Sequence, residues 1–181
     1  TVKENFQLSI NESPLQFKSD ENSFNNWFAY LEKLDLPGES VSIEITENLL
    51  MDFSESVDMK MQKFKDANIQ ISLDDFGTGY ASLSYLKRFD IEFLKIDKSY
   101  VQSMEQDKDV LILCESIIQM AHKLDIQVIA EGIETQQQLD ILKSLDCDYG
   151  QGYLFSRPLP VDEFELLISG SFIGAHGTPY V

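Results

Sequence analysis

The feature that most constrains this chain is a recurrence. Short β-branched, apolar runs alternate with helical stretches along nearly its whole length. The runs are FQLSIN at 6–11, VSIEIT at 41–46, IQISLD at 69–74, IEFLKID at 91–97, IQVIAE at 126–131 and GYLF at 152–155. Each is apolar at nearly consecutive positions, the pattern of a strand covered on both faces in a parallel sheet. Between them lie the helical stretches 23–34, 54–68, 81–89, 109–124, 135–145 and 162–169. Ser23, Ser54 and Thr135 open three of these and suit N-capping. Strand and helix alternating every ~20–35 residues predict a βα-repeat domain. Residues 1–170 are expected to form that domain and 171–181 a loose C-terminal tail.

Composition narrows the class. Hydrophobic residues make up 43% of the 181 and charged residues 25%, the balance of a globular protein with one core. No apolar run approaches the ~18 residues of a transmembrane helix, and no basic stretch precedes an apolar one at the N-terminus. Cys114 and Cys147 form no spaced pattern, which predicts a reduced, cytoplasmic compartment. The formal net charge is −17. Such a surface repels phosphate backbone and argues against duplex nucleic acid as a partner. A small phosphate ligand is still compatible, because carboxylates can gather a divalent cation that then holds it.

The polar residues gather at strand ends. Asn11 closes the first run, Glu44 and Glu47 the second, Asp74 and Asp75 the third, Lys95 and Asp97 the fourth, and Glu131 and Glu134 the fifth; Gln151 is expected to begin the sixth. A (β/α) barrel carries its active site at the C-terminal mouth of its strands. Packing explains any one of these carboxylates about as well as function does, but it explains the whole set poorly. Hard divalent cations prefer oxygen ligands, so Asn11, Glu44 and Asp74 could define one site. Asp75 follows Asp74 directly, and the pair could serve two adjacent ions suited to in-line attack on a phosphodiester. Lys95 could orient a water or stabilise charge on phosphoryl oxygens. Its plainer alternative is to neutralise Asp74 or Asp97. The segment DDFGTGYASL places Gly77 and Gly79 just after the paired aspartates, either as a mobile loop that reports occupancy or as an ordinary turn.

Six motifs carry a family likeness. Ser9, Asn11, Ser13 and Gln16, then EITE (44–47), DDFGTGYASL (74–83), LKIDKSYV (94–101), AEGIE (130–134) and GQGYLFSRP (150–158) together resemble the EAL domain in order and spacing. The resemblance implies a TIM-type (β/α)8 barrel that hydrolyses cyclic di-GMP to linear pGpG with Mg2+ or Mn2+, two ions in all. It matches Asn11, Glu44, Asp74 and Asp75 to metal ligands. Lys95 and Glu131 match the groups that handle the attacking water, Glu131 as base or second-ion ligand. Glu47 and Glu134 match residues anchoring the rim, and Gln151 a contact to the metal–water cluster. Phe76, Gly77, Thr78 and Gly79 match a regulatory loop at a dimer interface, so a homodimer is implied. Sensory or diguanylate cyclase domains are the implied partners, in a cytoplasmic protein or on the cytoplasmic side of a membrane-anchored one.

The likeness has one departure. The Glu-Ala-Leu signature is absent, and six strands are visible rather than eight. A barrel lacking about its first two βα units is expected, open at its edges and inactive as a fragment. A cyclic di-GMP sensor that does not cut its ligand is the alternative, and a different two-metal phosphohydrolase a third. His122, His176, Cys114, Cys147, Trp27, Phe28 and Tyr30 read as packing or surface residues rather than ligands.

Overall fold

The computed structural model describes residues 7–17, 21–50, 55–77 and 83–168. Six parallel strands form a curled half-barrel in chain order: β1 (Leu8–Asn11), β2 (Val41–Thr46), β3 (Gln70–Phe76), β4 (Phe93–Ile96), β5 (Gln127–Ala130) and β6 (Tyr149–Gly150). β1 and β6 are the two ends of this sheet, and no pairing joins them among the described residues. The helices are α1 (Pro14–Phe17), α2 (Glu21–Lys33), α3 (Glu47–Leu50), α4 (Glu55–Asp66), α5 (Leu83–Arg88), α6 (Lys98–Ser103), α7 (Lys108–Lys123), α8 (Gln136–Ser144) and α9 (Val161–Ile168), with a 3-10 turn at Gly38–Ser40. The architecture is the α/β barrel type that the alternation predicts, and VSIEIT is a strand from its first residue to its last.

The central strands are buried on both faces, as their unbroken apolar runs require. Every residue of β4 is buried, and so is every residue of β2 except Thr46. α7 contributes Cys114, Ile117, Ile118 and Ala121, a stripe at helical spacing that packs on the sheet. Asp107 caps this helix by accepting from the Asp109 and Val110 amides. Thr135 and Gln138 close a reciprocal capping box on α8. Phe64 of α4 meets Trp27, Phe28 and Phe17, so Trp27 and Phe28 of α2 are packing groups as expected, whereas Tyr30, also expected to pack, is exposed.

Return to the sheet is standardised. Asp35, Asn68, Asp125 and Asp146 each take a positive φ, from 54° to 60°, just after a helix. In each case the next residue's amide reaches back five positions to a helical carbonyl: Leu36 to Leu31, Ile69 to Phe64, Ile126 to Ala121 and Cys147 to Leu142. This is a Schellman closure made with Asp or Asn in place of glycine.

The sixth strand lies earlier than the sequence predicts. It is the dipeptide Tyr149–Gly150, and 152–155 is a turn. Gly152 sits against the backbone of Ile133, whose carbonyl accepts from the Leu154 amide at 2.9 Å. That contact draws the GYLF run out of the ladder and onto the loop after β5. Gln151 therefore follows β6 rather than beginning it. The apolarity of Leu154 and Phe155 reports packing on the core, not strand pairing.

Candidate active site

The centre of the site is a buried lysine. Lys95, third residue of β4, has a side chain only 3% exposed. Its ammonium lies 2.8 Å from Glu44 Oε2, 3.3 Å from Asp74 Oδ1 and 2.7 Å from Glu131 Oε1. Four elements thus deliver charge to one point: β2, β3, β4 and the residue that follows β5. Strand alternation explains the convergence. Ser42 and Glu44 share one face of β2, as Ser72 and Asp74 share one face of β3. One layer below the acids, the Ser42 and Ser72 hydroxyls hydrogen-bond at 2.8 Å. The Glu131 amide continues the ladder by donating to the Ile96 carbonyl at 3.1 Å, which sets its carboxylate beside Lys95.

The electrostatics follow from burial and charge. Burial alone would favour neutral Lys95, but hydrogen bonds to Glu131 and Glu44 and the charges of both outweigh it and hold the ammonium protonated. Burial raises the Glu131 carboxyl; Lys95 draws it back down, and the charges of Asp74 and Glu44 push it up again. One ammonium facing three carboxylates leaves an excess of negative charge at the mouth.

Asp75 occupies the extra position of a β-bulge. Leu73 pairs with Leu94 and Phe76 with Ile96, so β3 spends one more residue than β4 between these rungs. Asp75 takes a φ of 55° there. Its side chain shares a hydrogen bond with Asp97, which also accepts from the Ser99 amide at 2.9 Å as the cap of α6. Burial and the charges of Asp74 and Asp97 raise Asp75; the Ser99 bonds outweigh burial and lower Asp97.

The remaining candidates divide. Asn11 pairs with Glu44 in the β1–β2 register and is exposed. Glu47 opens α3 and is buried, at 4% exposure. Glu134 is exposed, and its carboxylate accepts from Gln102 of α6 at 3.2 Å. Gln151 is exposed, with its backbone bonded to Ala130 and Ile133. Phe76 is buried and Gly77 is an exposed turn; Thr78 and Gly79 lie outside the described residues. Sequence reasoning did not single out Ser42 and Ser72, nor the tyrosine in LKIDKSYV. Tyr100 donates its hydroxyl to the Gly77 carbonyl at 2.6 Å.

Among the described residues no three acidic, histidine or cysteine side chains already form a cation cage. Lys95 itself stands between the converging acids. The candidate donors are all oxygen, with Asn11 in register with Glu44 on the neighbouring strand, and this chemistry suits a hard divalent cation better than a soft one.

Fold and site together define a TIM-type α/β protein with an acid-rich mouth built around a buried lysine. A profile of the EAL domain family matches residues 2–158, and the chain belongs to that family. Cyclic di-GMP phosphodiesterase NbdA of Pseudomonas aeruginosa is 39% identical over 135 residues, 75% of this chain and 17% of that protein. The EAL enzyme Bd1971 in its cAMP and cyclic-di-GMP bound form superposes with a TM-score of 0.85 at 40% identity, over 90% of this chain and 43% of that one. The manganese/cy-diGMP complex of Klebsiella pneumoniae BlrP1 gives a TM-score of 0.78 at 29% identity, over 86% and 40%. The chain spans about a fifth of the length of the curated relatives it matches.

Proposed function

We propose that these residues belong to a divalent-cation-dependent phosphodiesterase that opens cyclic di-GMP to linear pGpG. The observation that carries this reading is Lys95, buried and bonded to Glu44, Asp74 and Glu131 at the mouth of the half-barrel. Asn11, Glu44, Asp74 and Asp75 would hold the cations, with Mg2+ or Mn2+ as the hard ions their oxygens suit. A cation bound there supplies Lewis-acid polarisation of the phosphoryl oxygen and a more acidic water. Glu131 is the base that accepts the water's proton, and burial strengthens its hold on that proton. Lys95 keeps a fixed positive charge where phosphoryl charge develops. Glu47, Glu134 and Gln151 support the rim.

The 181 residues contain no Glu-Ala-Leu, so we expect this segment by itself to turn over substrate negligibly. The alternative reading is a module that binds cyclic di-GMP without cutting it. Dimerisation through the 76–83 loop, coupling to sensory or diguanylate cyclase domains and a cytoplasmic setting belong to the same proposal. No helix among the described residues is long and apolar enough to cross a membrane. The test is to incubate the full-length protein with cyclic di-GMP and Mn2+ and to separate products chromatographically. Release of pGpG that chelator abolishes supports hydrolysis. Retention of intact ligand without product supports the sensor, and neither binding nor cleavage sinks both.

A further inference from the structure

The helix α6 reaches both loops that carry candidate active-site acids. Toward β3, the Tyr100 hydroxyl donates to the Gly77 carbonyl at 2.6 Å. The Tyr100 ring lies so close that a Cβ on Gly77 would come within 3.1 Å of its edge. Asp97, the cap of α6, shares its hydrogen bond with Asp75. Toward β5, Gln102 donates to Glu134, and the Lys98 side chain fills the space where a Cβ on Gly132 would sit, at 2.5 Å. The helix is itself fixed from beneath by Val101, fully buried, and by Met104 after its end.

Gly77 and Asp75 both have positive φ, 94° and 55°, within three residues. A non-glycine residue does not settle in that region without support from its surroundings. The bulge that exposes Asp75 lies between two rungs of the β3–β4 ladder, Leu73–Leu94 before it and Phe76–Ile96 after it. The Tyr100–Gly77 bond anchors the chain one residue past the second rung, where the ladder ends. We propose that Tyr100 is a positioning residue: its hydroxyl pins Gly77 and thereby keeps the Asp75 carboxylate presented at the mouth. This rests on the reading above in which Asp75 serves a divalent cation. A phenylalanine would fill the same space and leave the Gly77 carbonyl without that donor, so the effect belongs to one oxygen atom.

Tyr100→Phe in the full-length protein isolates it. Hydrogen exchange followed by mass spectrometry should speed up over 74–77 by about fivefold, the scale of one lost hydrogen bond, while α7 exchanges as before. Calorimetry should give an Mn2+ affinity weaker by a similar factor. The rate at saturating Mn2+ should stay within about twofold, because Tyr100 touches no reacting group. Unchanged exchange over 74–77 together with unchanged Mn2+ affinity would overturn the proposal. So would faster exchange spread across α7, which marks a general packing role. If the unsubstituted protein binds no Mn2+ yet the variant loosens 74–77, the tether stands and the cation-dependent reading fails.

Discussion

The Lys95 ammonium and the Glu131 carboxylate meet at 2.7 Å across the seam between β4 and β5. The pair straddles the last rung of that ladder, where Ile96 faces Ala130: Lys95 precedes the rung and Glu131 follows it. Glu44 and Asp74 complete the ammonium's shell from the other side. Structure and the proposed chemistry are therefore joined in one side chain: Lys95 makes it tolerable to bring three carboxylates together, and in the proposed function it is the positive charge that meets the phosphate.

Removing that charge should cost both. Lys95→Met keeps the length and apolar stem but leaves partly buried acids facing one another. Loss of one partner from a buried charge cluster costs about 3–5 kcal/mol. Urea unfolding of the metal-free variant should expose that loss. Added Mn2+ should recover more stability in the variant than in the unsubstituted protein, since a cation can replace the missing charge. A variant as stable as its parent without cation would mean that the acids are not held in their charged form by Lys95.

Glu131 should separate chemistry from binding. Glu131→Gln keeps the shape and an acceptor for Lys95 but cannot take a proton. Turnover of cyclic di-GMP by the full-length protein should fall by about 10²-fold or more, the usual contribution of a general base, with binding kept within a few-fold. Stopped assays give the first quantity, and calorimetry under Mn2+ without turnover gives the second. Equal losses in both would make Glu131 a binding group instead.

Glu92 offers a test far from the mouth. It precedes β4, and its carboxylate accepts from the Ile71 amide at 2.8 Å. Burial raises its carboxyl above the ordinary 4.5, more than the amide bond lowers it. A raised carboxyl means that the folded state holds its proton more tightly than the unfolded one. Its stabilising effect is complete below 4.5 and is lost as pH rises through the raised folded value. Glu92→Gln keeps an acceptor for Ile71 and carries no charge. Relative to the parent it should gain stability as pH rises. Thermal melts across pH 4–8 measure the difference, and a flat difference would mean that burial does not govern this group.

The fold was legible because its signal is periodic. Four of six apolar runs contain the observed strand, a fifth holds all of β3 but its last two residues, and VSIEIT matches to the residue, since burial on both faces writes itself into consecutive side chains. The sixth was misplaced because apolarity cannot tell a strand from a turn that packs. Only the contact of Gly152 with Ile133 makes that distinction, and it joins residues far apart in the sequence. The acids of the site were legible as residue types at strand ends. Their common centre was not: nothing in LKID says that Lys95 points at Glu44, Asp74 and Glu131 together. Asp97 was visible as a strand-end acid, but its bond to Asp75 depends on a bulge that no local pattern announces. One usable signal was passed over. The Asp or Asn before an apolar residue at 35, 68, 125 and 146 marks where each helix turns back to the sheet.

Two glycines in GQGYLF provide the last contrast, because both lean on Ile133. A Cβ on Gly150 would meet the Ile133 Cδ1 at 2.6 Å, the free end of a side chain that can rotate away. A Cβ on Gly152 would meet the Ile133 carbonyl oxygen at 2.2 Å and its amide nitrogen at 2.3 Å, which are backbone and cannot yield alone. The same backbone holds the turn through Ile133 N to the Gln151 carbonyl and Leu154 N to the Ile133 carbonyl. Gly152→Ala must therefore push the 151–155 turn off the loop that carries Glu131. Overpacking of this kind costs about 1–3 kcal/mol, and Gly150→Ala should stay at or below the lower end of that range. Denaturant midpoints of the two variants, measured side by side, decide it. If the proposed hydrolysis holds, turnover by the full-length protein should follow the same order, lower in Gly152→Ala because the loop it displaces carries Glu131, the proposed base. Equal midpoints would mean that the turn yields as easily as a side chain, and that its contact with Ile133 does not hold the segment out of the sheet.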